Sequence, residues 1–133
     1  MRQGDDSRVI LVVDDQEGNR EVLRMFLTES GHIVIEARNG LDALNICTNE
    51  CPDLIFMDLA MPVMDGYESV RLLRQLPQTR DVPIVAYTAY DTPTHRERTL
   101  RTGFNEFLSK PIDSKRLDLV LDRFFNGGAL KRT

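Results

Sequence analysis

The chain has 133 residues, 41% hydrophobic and 29% charged, the balance of one soluble globular domain large enough to bury a core. A net charge of −4 gives no bulk case for direct nucleic-acid binding, and no apolar run approaches the roughly 20 residues of a membrane helix. Cys47 and Cys51 are too few for a disulfide framework or a zinc site, and His32 and His95 lie far from them, so reduced thiols in a cytoplasmic protein are expected.

Met1 to Ser7 is polar and acidic and does not read as a signal peptide; residues 1–8 are expected to form a tail. Val9 to Val13 is an unbroken apolar run, mostly β-branched, which implies a parallel strand buried on both faces, and it ends in Asp14-Asp15. Gln16 to Glu29 carries Val22, Leu23, Phe26 and Leu27 at helical spacing and stops at Ser30-Gly31. Ile33 to Ala37 reads as a weaker strand nearer an edge. Asn39-Gly40 opens a short helix with Leu41, Leu44 and Cys47 on one side. Pro52 closes that connection, and Leu54 to Met57 is a third strand running straight into Asp58.

A turn through Met61-Pro62-Val63-Met64 leads to Asp65, which caps the next helix with Glu68 three residues on. Val70, Leu73 and Leu76 form its stripe, and Pro77 ends it. Val82 to Tyr87 is a fourth strand finishing at Thr88. Thr92-Pro93 has the form of an N-cap followed by an N1 proline, and Gly103 ends that helix. Arg96, Arg98 and Arg101 in it read as a solvated face. Asn105 to Ser109 is a fifth strand before Lys110-Pro111. Asp113 caps a last helix with Leu117, Val120, Leu121 and Phe124 facing inward, stopped by Asn126-Gly127-Gly128; 127–133 is expected to be a tail.

Strict alternation of strand and helix, five times over, implies an α/β fold with a parallel sheet covered on both faces. All strand ends then lie on one edge, where open α/β sheets bind ligands. If the first and third strands are neighbours, Asp14, Asp15, Asp58, Thr88 and Lys110 converge there. Clustered carboxylates repel unless a cation neutralises them, and all-oxygen ligands suit magnesium. Asp58 could then attack an activated phosphorus, with Lys110 and Thr88 binding its oxygens.

These residues carry a resemblance. Val12-Val13-Asp14-Asp15, Met57-Asp58-Leu59-Ala60-Met61-Pro62-Val63-Met64-Asp65-Gly66, Tyr87-Thr88-Ala89 and Phe107-Leu108-Ser109-Lys110-Pro111 resemble, in content and order, the receiver domain of two-component response regulators. The resemblance spans residues 9–126. It implies a doubly wound, flavodoxin-like three-layer sandwich, (βα)5, with strand order 2-1-3-4-5. It implies that Asp58 is the phosphoacceptor, and that Asp15, Asp58 and the Ala60 backbone carbonyl ligate Mg2+ (or Mn2+), with Asp14 acting partly through water. Thr88 and Phe107 correspond to the switch residues and Lys110 to the phosphate-binding lysine, with a cis peptide before Pro111.

Donors would be a histidine kinase or a histidine phosphotransfer protein. The chain would catalyse only its own phosphorylation and slow dephosphorylation, tuned by Ala60 and Tyr90. The output would be a change in the face made by the fourth helix, fifth strand and fifth helix, presented to a protein partner that the sequence does not identify, or closing a weak dimer. Phe107 lacks the phenol hydroxyl common at its position, and Phe104 stands where a small residue is usual, so a repacked fourth helix is expected. The competing readings are a small magnesium-dependent phosphatase with an Asp nucleophile after the first strand, a flavin-binding domain and a degenerate receiver. The first lacks its Asp-x-Asp pattern at Asp14-Asp15-Gln16, the second lacks a hydroxyl- and glycine-rich phosphate loop, and the third lacks a missing key residue.

Overall fold

The computed structural model describes residues 7–89 and 92–126. Tyr90, the expected tail at 127–133 and most of the tail at 1–8 lie outside the described residues. Five strands, β1 (Val9–Val13), β2 (Ile33–Ala37), β3 (Leu54–Met57), β4 (Ile84–Thr88) and β5 (Glu106–Ser109), alternate with five helices. These are α1 (Glu17–Glu29), α2 (Gly40–Cys47), α3 (Gly66–Leu73), α4 (Pro93–Thr102) and α5 (Ser114–Leu121), the last running into a π-helical turn over Asp122–Asn126. The strands are all parallel, in the order β2-β1-β3-β4-β5.

Alternation along each strand builds two cores. Leu11, Val13, Ile55, Met57, Ile84 and Ala86 point to one face, against Ala43 and Cys47 of α2 and Val70 and Leu73 of α3. Ile10, Val12, Leu54, Phe56, Val85 and Tyr87 point to the other, against Leu23 and Leu27 of α1 and Leu117, Val120 and Leu121 of α5. A strand apolar at every position is what burial between two helical layers requires. The side chains of Asn39, Asp65, Thr92 and Asp113 each accept a first-turn N–H of the following helix.

Two helix faces differ from the expected ones. In α1, Val22 is 46% exposed and Arg20 is buried instead, in line with Leu23 and Leu27. Arg20 is tolerated inside because its guanidinium is satisfied: Nη1 donates to the Asp14 carbonyl at 2.8 Å and Nε to Glu36 Oε1 at 2.9 Å. Burial pushes the Glu36 carboxyl up, but its bonds to Arg24 and Arg20 outweigh this and hold it below its ordinary value. In α2, Leu41 is 45% exposed and the inward residues are Gly40, Ala43 and Cys47. Gly40 sits against α3 so closely that a Cβ there would stand 2.8 Å from the Met64 carbonyl oxygen and 2.9 Å from Ser69 Cβ. That contact fixes the rotation of α2 and turns Leu41 outward. Both cysteines are free thiols; burial pushes the Cys47 thiol up to about 11.

Candidate functional site

Register brings the acidic residues together. Val13 pairs with Met57, and Met57 with Ala86, so Asp14, Asp58 and Tyr87 each stand one residue beyond a matched row. Asp58 N–H donates to the Val13 carbonyl at 2.9 Å and Asp14 N–H to the Ala37 carbonyl at 3.1 Å. Ligand atoms of Asp14, Asp15 and Asp58 lie within 4.8 Å of one another. Asp14 and Asp58 are buried, whereas Asp15 is exposed.

Lys110 is the cation that holds this cluster together. Its Nζ donates to Asp14 Oδ2 at 3.0 Å and to Asp58 Oδ2 at 3.2 Å, and lies 4.8 Å from the centre of the Tyr87 ring. The Lys110–Pro111 peptide is cis, as the family resemblance implies. Burial pushes the Asp58 carboxyl above the ordinary range; the Lys110 charge opposes this and the Asp14 charge adds to it. Three clustered carboxylates, two of which share one ammonium, form an all-oxygen donor set short of positive charge, which fits a hard divalent cation.

The turn after β3 is fixed by the backbone. Ala60 N–H donates to Asp58 Oδ1 at 3.3 Å, and Gly66 N–H to the Leu59 carbonyl at 2.9 Å. Val63, at the outer corner, has φ of 72°, a left-handed conformation that a β-branched residue adopts only under strain. Gly66 is required where it stands. A Cβ there would lie 2.6 Å from the Asp58 carbonyl oxygen and 3.0 Å from Leu59 Cα, both backbone atoms. Gly66→Ala is therefore expected to cost about 2 kcal/mol and to displace Asp58. The melting temperature should fall; a variant that melts with the wild type would contradict the tight approach.

Thr88 ends β4, buried, and its carbonyl accepts Lys110 N–H at 2.9 Å, so the two expected site residues are tied through the main chain. Phe107 is buried, with the Arg96 guanidinium 5.0 Å above its ring. Without a hydroxyl, Phe107 has no polar group to keep in water, and its ring sits inside. Phe104 is buried on the α4 side and meets Tyr67 edge-on at 6.4 Å. Tyr67 also carries the Arg98 guanidinium 4.0 Å over its ring and shares a hydrogen bond with Thr99 at 3.2 Å, which joins α4 to α3. Arg98 is thus partly committed to Tyr67 rather than only to solvent.

Three residues that sequence reasoning passed over shape this region. Tyr87 donates its hydroxyl to Asp14 Oδ2 at 2.8 Å. Arg20 holds the Asp14 carbonyl. Arg74, just past α3, binds carbonyls of the β4 approach and of the α4–β5 connection. The signal for Tyr87 was its position directly before Thr88 on a strand; nothing local marked Arg74.

Comparison with known proteins agrees with this geometry. The model of the response regulator receiver domain matches residues 10–122. An uncharacterized 14.6 kDa protein of Leptolyngbya boryana is 41% identical over 115 residues, 86% of this chain and 88% of that protein. The response regulator PleD of Caulobacter vibrioides is 42% identical over 104 residues, 78% of this chain but only 23% of PleD. Among solved structures, the receiver domain of the sensor histidine kinase PA1611 of Pseudomonas aeruginosa superposes with a TM-score of 0.84 at 33% identity, covering 90% of this chain and 98% of that one. That structure has a magnesium ion coordinated in its active-site cleft. Among the described residues, no helix is long and apolar enough to cross a membrane.

Proposed function

This chain belongs to the response regulator receiver family, and from that premise we propose that Asp58 accepts a phosphoryl group from the phosphohistidine of a histidine kinase or a histidine phosphotransfer protein. The receiver unit is taken as residues 9–126, with tails at 1–8 and 127–133, working in the cytoplasm. The observation that carries the reading is the Lys110 ammonium shared between Asp14 and Asp58 at the carboxyl edge of the sheet.

Asp15, Asp58 and the Ala60 carbonyl would hold Mg2+, or Mn2+ in its place, with Asp14 reaching it through water. When bound, the ion would offset the carboxylate charge and polarise a phosphoryl oxygen. Asp58 supplies a carboxylate lone pair to phosphorus while the P–N bond to the donor imidazole breaks and the ring nitrogen keeps its electron pair. Lys110 follows the new negative charge, and the Thr88 hydroxyl donates to a second phosphoryl oxygen. The acyl phosphate adds about −1.5 to −2 charges.

Thr88 and the connection to α4 move toward that charge, and the face made by α4, β5 and α5 is reshaped for a protein partner or a weak dimer. Phe107, buried beneath Arg96, would turn into the space that Thr88 vacates. The chain catalyses its own phosphorylation and no turnover of a separate substrate. A phosphatase with Asp14 as nucleophile is disfavoured, because Asp14 has no exposed surface and both its oxygens already accept hydrogen bonds.

Incubation with acetyl phosphate and magnesium should add the mass of one phosphoryl group, and chelation should prevent it. No gain in the wild type would contradict the reading. Ala60 has no side-chain group to orient an attacking water, so the added mass is expected to persist; its loss within seconds would contradict the slow dephosphorylation assigned to Ala60 and Tyr90.

A further inference from the structure

Asp14 is fully buried, and both its oxygens are engaged. Oδ1 accepts Gln16 N–H at 2.9 Å. Oδ2 accepts two donors, Lys110 Nζ at 3.0 Å and the Tyr87 hydroxyl at 2.8 Å. Lys110 is at the same time within 3.2 Å of Asp58 Oδ2, so its charge is divided between two carboxylates. Tyr87 is 1% exposed, and its ring lies beneath the ammonium.

We propose that Tyr87 is a positioning residue for phosphoryl transfer: its hydroxyl holds the Asp14 carboxylate so that Lys110 can leave Asp14 for the phosphoryl group on Asp58. The inference rests on Asp58 being the phosphoacceptor and deepens that reading.

A phosphoryl group on Asp58 draws Lys110 away from Asp14. A buried carboxylate that loses its ammonium is costly unless other donors stay with it. Two remain here, and Tyr87 is the one on the same oxygen as Lys110. Its neutrality matters as much as its reach. A second cation at that point would repel a divalent ion, whereas a phenol donates without adding charge. A phenol ordinarily keeps its proton at neutral pH, so Tyr87 is a neutral donor to Asp14. The strand sets the placement: Tyr87 follows Ala86, which pairs with Met57 beside Asp58, and its side chain falls on the α1 and α5 face. A leucine or valine there would fill the space but leave Asp14 with the lysine and one backbone N–H.

Tyr87→Phe keeps the ring and removes only the donor. The readout is the affinity for beryllofluoride, a tetrahedral phosphoryl analogue, titrated by fluorine NMR at saturating magnesium. Tyr87→Phe is expected to bind it about ten-fold more weakly, the scale of one hydrogen bond to a charged group. Magnesium affinity alone, measured by calorimetry without beryllofluoride, should change by less than about two-fold, because Lys110 does not leave Asp14 in that state. In an Asp14→Asn background, adding Tyr87→Phe should shift beryllofluoride affinity by less than about two-fold, since the two act as one unit. Wild-type beryllofluoride affinity in Tyr87→Phe would overturn the inference while leaving Asp58 as phosphoacceptor. An equal loss of magnesium affinity would also overturn it, by marking a general packing role. A wild-type protein that binds no beryllofluoride would overturn the phosphoacceptor reading, and this inference with it.

Discussion

Lys110→Ala is expected to slow phosphorylation by acetyl phosphate about 100-fold at saturating magnesium, the scale of losing one preorganised charged donor at a reacting centre. The ammonium serves two states in turn. Before transfer it is the cation between two buried carboxylates, with 18% of its side chain exposed against 0% for Asp14 and 9% for Asp58. During transfer it can follow the charge onto the phosphoryl group. Its removal therefore has a second consequence, visible without any phosphodonor. Metal-free Lys110→Ala should melt lower than the wild type, because breaking a buried pair by removing one partner leaves an uncompensated charge. Magnesium should restore most of that loss and should stabilise the variant more than the wild type, since the ion then replaces the missing cation. Melting curves with and without magnesium, alongside the phosphorylation rate, separate the two roles. A variant that is phosphorylated at the wild-type rate would remove Lys110 from the chemistry.

Arg74→Ala is expected to cost about 3 kcal/mol of folding stability. Its guanidinium donates to the Gly103 carbonyl from Nε at 3.1 Å and Nη2 at 2.9 Å, and to Asn105 Oδ1 at 2.6 Å. Nη1 reaches the Thr79 and Arg80 carbonyls at 3.1 Å and the Val82 carbonyl at 2.6 Å. Asn105 Oδ1 in turn accepts Ile84 N–H at 2.8 Å, so one side chain ties the approach to β4 to the end of α4. Burial lowers the Arg74 pKa, and Asp81 partly compensates. Arg74→Lys should recover little, because an ammonium cannot span acceptors on two sides as the planar fork does. Urea melts of both variants test this. A loss within experimental error of zero for the alanine variant would mean that these carbonyls are satisfied equally well by water.

The strands were legible because burial on both faces leaves no room for a polar residue until the edge, so each apolar run points to the carboxylate or hydroxyl that follows it. Asp14, Asp58 and Thr88 could be read this way, since a parallel sheet collects strand ends; Lys110 follows β5, whose first and last residues, Glu106 and Ser109, are polar. Helix rotation was harder. Apolar spacing favoured Val22 and Leu41, but the inward positions went to Arg20, which has Asp14 and Glu36 as partners, and to Gly40, which permits a close approach. Two of the polar residues missed, Tyr87 and Arg74, share one cause. Tyr87 meets Asp14 across 73 positions and Arg74 meets Asn105 across 31, so neither pairing leaves a local pattern in the sequence. Phe107 illustrates the converse: an expected switch aromatic whose ring packs inward because it carries no group that needs water.

The most direct test of the central claim is to locate the phosphoryl group. Borohydride reduction of the phosphorylated chain converts an aspartyl phosphate to homoserine, and peptide mass spectrometry then identifies the position. The expected result is homoserine at position 58 alone, formed only when magnesium accompanied the phosphodonor, with Asp58→Asn giving none. Homoserine at Asp14 or Asp15, or a phosphoryl group retained by Asp58→Asn, would contradict it.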